Sequence, residues 1–132
     1  MAKKDKRLLG KLELMIMQVV WETGEATVRQ VRNAIAQKRD LAYSTVMTMM
    51  RKLEQKGVLT HRTEDRTYVY RPLVSRGDVE RSMLRDLLQN VFGGSYQQLI
   101  NALVEHENLP KEELIRMAQQ VGMSAQDEEV TT

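Results

Sequence analysis

Apolar side chains recur along this chain first at helical and then at alternating spacing, and the change of rhythm marks out its elements. From Leu8 the positions Leu12, Met15, Ile16, Val19 and Val20 return every three or four residues, which predicts an amphipathic helix over 8–22 that ends near Gly24. Trp21, at the edge of that stripe, is expected to close the helix end as a packing group. Thr27 and Gln30 stand at capping-box spacing and open a second helix, with Val28, Val31, Ala34 and Ile35 on its inner face. Lys38, Arg39 and Asp40 interrupt the pattern, and a third helix is predicted from about Ala42 to Lys56, closed by Gly57.

In the third helix Val46, Met50 and Leu53 face inward, which leaves Ser44, Thr48, Arg51, Lys52 and Gln55 on or near the opposite side. After Gly57 the period shortens to two. Val58 to Thr63 and Thr67 to Arg71 are rich in β-branched and aromatic residues and predict a two-stranded hairpin connected by Glu64, Asp65 and Arg66. Tyr68 and Tyr70 share one face of their strand, Val69 takes the other, and Pro72 stops it. Two helices, a turn between them and a basic hairpin are the layout of a winged helix-turn-helix, which places one helix in a DNA groove and a hairpin against the backbone.

Beyond Pro72 the periodicity is helical. Val79, Met83, Leu84, Leu87, Leu88 and Val91 form one stripe, Leu99, Ile100, Leu103 and Val104 a second, and Leu114, Ile115, Met117, Ala118 and Val121 a third. Gly93 and Gly94 separate the first two, and Asn108 and Pro110 open the last helix, with Glu112 and Glu113 in its first turn. Three such stripes on roughly 45 residues cannot cover one another within one small chain, so a second copy is expected to cover them. The fold class predicted is mainly α with a small β-hairpin: a winged helix-turn-helix plus a C-terminal helical dimerisation region. Its expected parts are a basic flexible arm over 1–7, a winged-helix domain over 8–74, a helical dimerisation domain over 75–123 and a disordered acidic tail over 124–132.

Charge sharpens this division. Residues 1–77 hold 16 Lys and Arg against 8 Asp and Glu, whereas residues 78–132 hold 4 against 10, so the net charge of +2 conceals a basic front and an acidic rear. The front half alone suits a polyanion. A length of 132 residues allows one or two small domains and is short for most stand-alone enzymes. No apolar run approaches the roughly 20 residues of a membrane span, which predicts a cytoplasmic protein without membrane insertion. The absence of cysteine removes disulfides, thiolate metal sites and thiol redox sensing.

Site chemistry is sparse. His61 falls in a predicted strand and His106 near a helix end, too far apart to argue a catalytic pair, and lone surface histidines are the ordinary reading of both. Glu112 and Glu113 suit a first helical turn, and Asp127, Glu128 and Glu129 a solvated tail. No P-loop, dinucleotide glycine pattern, HExxH or GxSxG is present, so no enzyme, cofactor or metal is expected. Met47, Met49 and Met50 raise the alternative of soft-metal binding, but successive helical positions diverge and methionine is a common core filler. The short hydroxyls near the start of the third helix fit a major groove, where they bond either base edges or phosphates. Strand arginines Arg62 and Arg71, with Arg66, are expected on the DNA backbone more than the acidic tip at Glu64 and Asp65. The alternative to a sequence-specific repressor is a non-specific DNA-binding or protein-interaction winged-helix platform.

The segments LGKLELMIMQVVW at 9–21, TVRQVRNAI at 27–35, LAYSTVMTMMRKLEQKGVL at 41–59, YVYRP at 68–72 and FGGS at 92–95 carry a resemblance. In their order and spacing the chain resembles the penicillinase-repressor family of bacterial transcription factors, which includes repressors of β-lactamase and methicillin-resistance genes and copper-responsive relatives. The resemblance implies a homodimer that binds a double-stranded inverted-repeat operator of TACA/TGTA type. By position, Ser44, Thr45 and Thr48 would face the bases, flanked by Tyr43, Met47, Arg51 and Lys52. Met47 departs from relatives that carry arginine there, and a thioether offers no bidentate contact to guanine. Met83, Leu84, Leu87, Leu88, Val91, Leu99, Ile100, Leu103, Val104, Leu114 and Met117 would form the dimer. In the β-lactam branch a membrane sensor-protease triggers cleavage at an Asn-Phe bond. The matching positions are Asn101 and Ala102, where the aromatic partner is missing. The copper branch's cysteine cluster has no counterpart.

Overall fold

The computed structural model describes residues 8–130, with side chains over 8–122, so the expected arm at 1–7 lies outside the described residues. Six helices and one hairpin follow in order: α1 Lys11–Thr23, α2 Val28–Ile35, α3 Tyr43–Gln55, β1 Leu59–Glu64, β2 Thr67–Pro72, α4 Arg76–Asn90, α5 Tyr96–His106 and α6 Lys111–Val130. The chain divides into two compact units, one ending at Asp86 and the other beginning at Leu87.

In the first unit α1 starts three residues later than its periodicity suggests. Gly10 is extended and its amide donates to Glu13 Oε1 at 3.0 Å, which fixes the helix start and leaves Leu9 to pack into the core. The capping box of α2 forms as read: Gln30 N donates to Thr27 Oγ1 at 3.2 Å, and Thr27 N donates to Gln30 Oε1 at 2.9 Å. Val28, Val31 and Ile35 are buried, but Ala34 is exposed. The core joins Ile16, Met17 and Val20 of α1 to these residues, to Val46, Met50 and Leu53 of α3, and to Val58, Leu59 and Tyr70.

The hairpin is longer and its turn tighter than predicted. Glu64 pairs with Thr67 and Leu59 with Pro72, so only Asp65 and Arg66 form the connection, at φ 49° and 67°. Positive φ at both central residues is the turn geometry that matches strand twist, and it lets a two-residue loop close the hairpin without glycine. Pro72 ends β2 inside the pairing rather than beyond it. Ala26 and Tyr70 exchange backbone hydrogen bonds of 2.9 Å in both directions, which ties β2 to the segment between α1 and α2.

The winged-helix core draws on residues beyond 74. Ser75 N donates to Asp78 Oδ2 and Asp78 N to Ser75 Oγ, both at 3.0 Å, so α4 starts on a reciprocal cap. Val79 then enters the winged-helix core and Met83 packs against it, which is why this unit runs on to Asp86. In the second unit Gly93 and Gly94 adopt φ 57° and 81°, a conformation that favours glycine, and end the helical run before Ser95 caps α5. α6 continues through Val130, where a disordered tail from 124 was expected; Ala125, Gln126 and the glutamates are good helix formers with no proline among them.

Candidate nucleic-acid interface

The exposed side of α3 is built as its spacing predicts. Val46, Met50 and Leu53 are fully buried, and Ser44, Thr45, Thr48, Arg51 and Lys52 are exposed. Arg32 Nε donates to the Leu41 carbonyl at 3.2 Å and steadies the turn that delivers the chain into α3. At the other end Lys56 Nζ lies 2.8 Å from Glu13 Oε1. Burial of Glu13 works against its charge, but the bonds from Lys56 and the Gly10 amide outweigh it and hold the carboxyl below its ordinary pKa.

Tyr43, Met47 and Arg51 lie four residues apart and share a stripe of α3 beside the Ser44 and Thr48 ridge. That stripe forms one wall of a groove of about 470 Å³. The other walls are Thr27, Val28 and Arg29 at the start of α2 and Arg66, Thr67, Tyr68 and Tyr70 of the hairpin. Three guanidinium groups therefore face one groove whose lining contains no carboxylate. Arg29 was not singled out in the sequence, and Thr27 was read there only as a helix cap. The signal was available, because burial of 28, 31 and 35 turns position 29 outward beside the start of the helix.

The hairpin has two electrostatic faces. Arg62 donates from Nη1 to Glu25 Oε2 at 2.6 Å and from Nη2 to Glu25 Oε1 at 3.0 Å and Glu64 Oε2 at 2.9 Å. These bonds push the guanidinium pKa up, and the Arg62 bond holds Glu25 below the usual carboxylate range. Arg71 stands opposite Thr60 and shares the Arg62 face by strand alternation. Of the three arginines expected on the DNA backbone, only Arg66 lines the α3 groove; Arg62 is held by carboxylates and Arg71 faces away.

The C-terminal residues are placed differently from one another. Leu88 is covered by its own chain, and Leu99, Val104, Leu114 and Met117 are half-buried. Leu84, Leu87, Val91, Ile100 and Leu103 are exposed, and α5 buries no residue fully. Asn101 and Ala102 sit in the middle of α5, so scission between them requires that helix to open locally. Among the described residues no helix is long and apolar enough to cross a membrane.

Comparisons with known proteins bear on this arrangement. The profile of the penicillinase repressor family matches residues 9–122. The transcriptional regulator BlaI of Mycobacterium tuberculosis is 35% identical over 112 residues, covering 83% of this chain and 81% of the relative. The penicillinase repressor of Bacillus licheniformis is 25% identical over 111 residues, covering 84% of this chain and 87% of the relative. The solution structure of the DNA binding domain of the repressor BlaI matches with a TM-score of 0.50 at 28% identity, over 58% of this chain and 93% of that domain.

Proposed function

The chain belongs to the penicillinase repressor family, and on that premise we propose that it is a sequence-specific DNA-binding transcriptional repressor that acts as a homodimer on an inverted-repeat operator. The observation that carries this reading is the shared orientation of the α3 ridge and a groove lined by Arg29, Arg51 and Arg66 without a carboxylate. Ser44, Thr45 and Thr48 read base edges, while the guanidinium groups and Lys52 hold phosphates and fix the docking register. Met47 lies in the groove wall, where it gives apolar contact rather than bidentate recognition of guanine. Occupancy of a promoter is sufficient for repression.

Dimerisation is supported by the second unit's exposed apolar side chains. Val91, just beyond the end of α4, is 65% exposed and Ile115 58%, and Leu87, Ile100 and Leu103 are likewise uncovered. A second copy would bury it and would join two weak half-sites into one tight site. The test is binding of the full chain to the DNA upstream of its own gene and to random duplex of equal length, at near-physiological salt. A preference of about three orders of magnitude is expected. Equal affinity for the two would overturn sequence-specific repression.

A further inference from the structure

The middle of the hairpin is held from both faces by charged side chains. On one face Arg62 binds Glu25 between α1 and α2. On the other, His61 Nδ1 lies 2.8 and 2.9 Å from the two carboxylate oxygens of Glu54 on α3. The His61 ring also stacks on Tyr68, with centroids 3.9 Å apart and planes 14° apart. No other side-chain hydrogen bond joins α3 to the hairpin among the described residues. Sequence reasoning had left His61 as an ordinary surface histidine, because nothing local shows that Glu54 and Tyr68 converge on it.

We propose that His61 is a positioning residue for DNA binding: through Glu54 and Tyr68 it sets the separation between the base-reading helix and the wing. This rests on the DNA-binding reading of the same groove. Tyr68 is 45% exposed and forms the groove wall opposite Met47 and Arg51, so the stack that orients its ring also shapes the passage for the DNA backbone. Base contacts from α3 and phosphate contacts from the wing form together only when this spacing suits one duplex.

The His61 ring also lies 5.4 Å from the ring of the buried Tyr70, so the bond to Glu54 and the stack on Tyr68 rest on a side chain fixed in the core.

The experiment measures the affinity of the full chain for operator and for random duplex at one pH and ionic strength, for the wild type, H61A, H61N and H106Q. H61A is expected to bind operator about tenfold more weakly, the size of one lost hydrogen bond to a charged group, with a smaller loss on random DNA. H61N restores a side-chain donor toward Glu54 and should recover most of that loss, and H106Q should match the wild type. Operator affinity in H61A equal to that of the wild type, or no recovery in a folded H61N, overturns the role of His61. Equal affinity of the wild type for the two duplexes would instead overturn the DNA-binding reading, and this inference with it.

Discussion

Lys56 and Glu13 meet at 2.8 Å, 43 residues apart in the chain, and join the C-terminal end of α3 to the first turn of α1. The glutamate side chain is 6% exposed and its Oε2 has no hydrogen-bond partner among the described residues, so Lys56 and the Gly10 amide carry its charge between them. Because the folded pKa of Glu13 is lowered from 4.5, its contribution to stability is present above the unfolded value and is lost as pH falls through the folded one. Glu13→Gln should cost about 2 kcal/mol at neutral pH by leaving Lys56 without its partner. Urea unfolding at about pH 7 and pH 3 checks both parts, since wild type and variant should converge in acid.

Thr48 lies on the exposed ridge of α3, clear of the core. Thr48→Ala should reduce discrimination between operator and random DNA by roughly 1 to 3 kcal/mol. Parallel titrations on the two duplexes measure this directly, and equal losses on both would remove Thr48 from base readout.

The two faces of the hairpin make opposite forecasts for two arginines. Arg66→Ala should weaken binding to all sequences alike and lower the slope of log K against log salt by about 0.9, the share of one phosphate contact. Arg62→Ala should leave that slope unchanged, because Glu25 and Glu64 already engage its guanidinium. Equal slope changes in the two variants would mean that the ion pairs dissolve on DNA.

Leu87 and Leu103 are exposed in the isolated chain, so a charge at either should leave the winged helix folded. Leu87→Asp or Leu103→Glu should shift sedimentation from dimer to monomer, since assembly would bury an unpaired charge, and operator affinity should fall with it. A stable, operator-binding dimer carrying either change would exclude that residue from the interface.

What was legible in the sequence is local. The Thr27 cap, the inner face of α3 and the alternation of Tyr68, Val69 and Tyr70 are all set by neighbours within a few positions, where helical and strand periods govern. The ion pairs that tie the elements of the first unit together are not of that kind. Glu25 reaches Arg62 across 37 residues, and Glu13 reaches Lys56 across 43. Val79 looks like the first residue of a C-terminal stripe, but it packs into the winged-helix core. The hairpin turn was read one residue too long because Asp65-Arg66 lacks the glycine that usually announces two left-handed residues.

Trp21 is the only tryptophan of the chain. Its indole Nε1 donates to the Val74 carbonyl at 2.9 Å, and the Arg76 guanidinium lies 5.6 Å from the ring centroid. Excited beyond the absorption of the tyrosines, of which Tyr43, Tyr68 and Tyr70 line the α3 groove, the indole emission originates where the end of α1 meets the segment leading into α4. Emission from that indole reports whether the junction is intact, which gives an optical signal for folding that needs no added label and is spatially separate from DNA engagement.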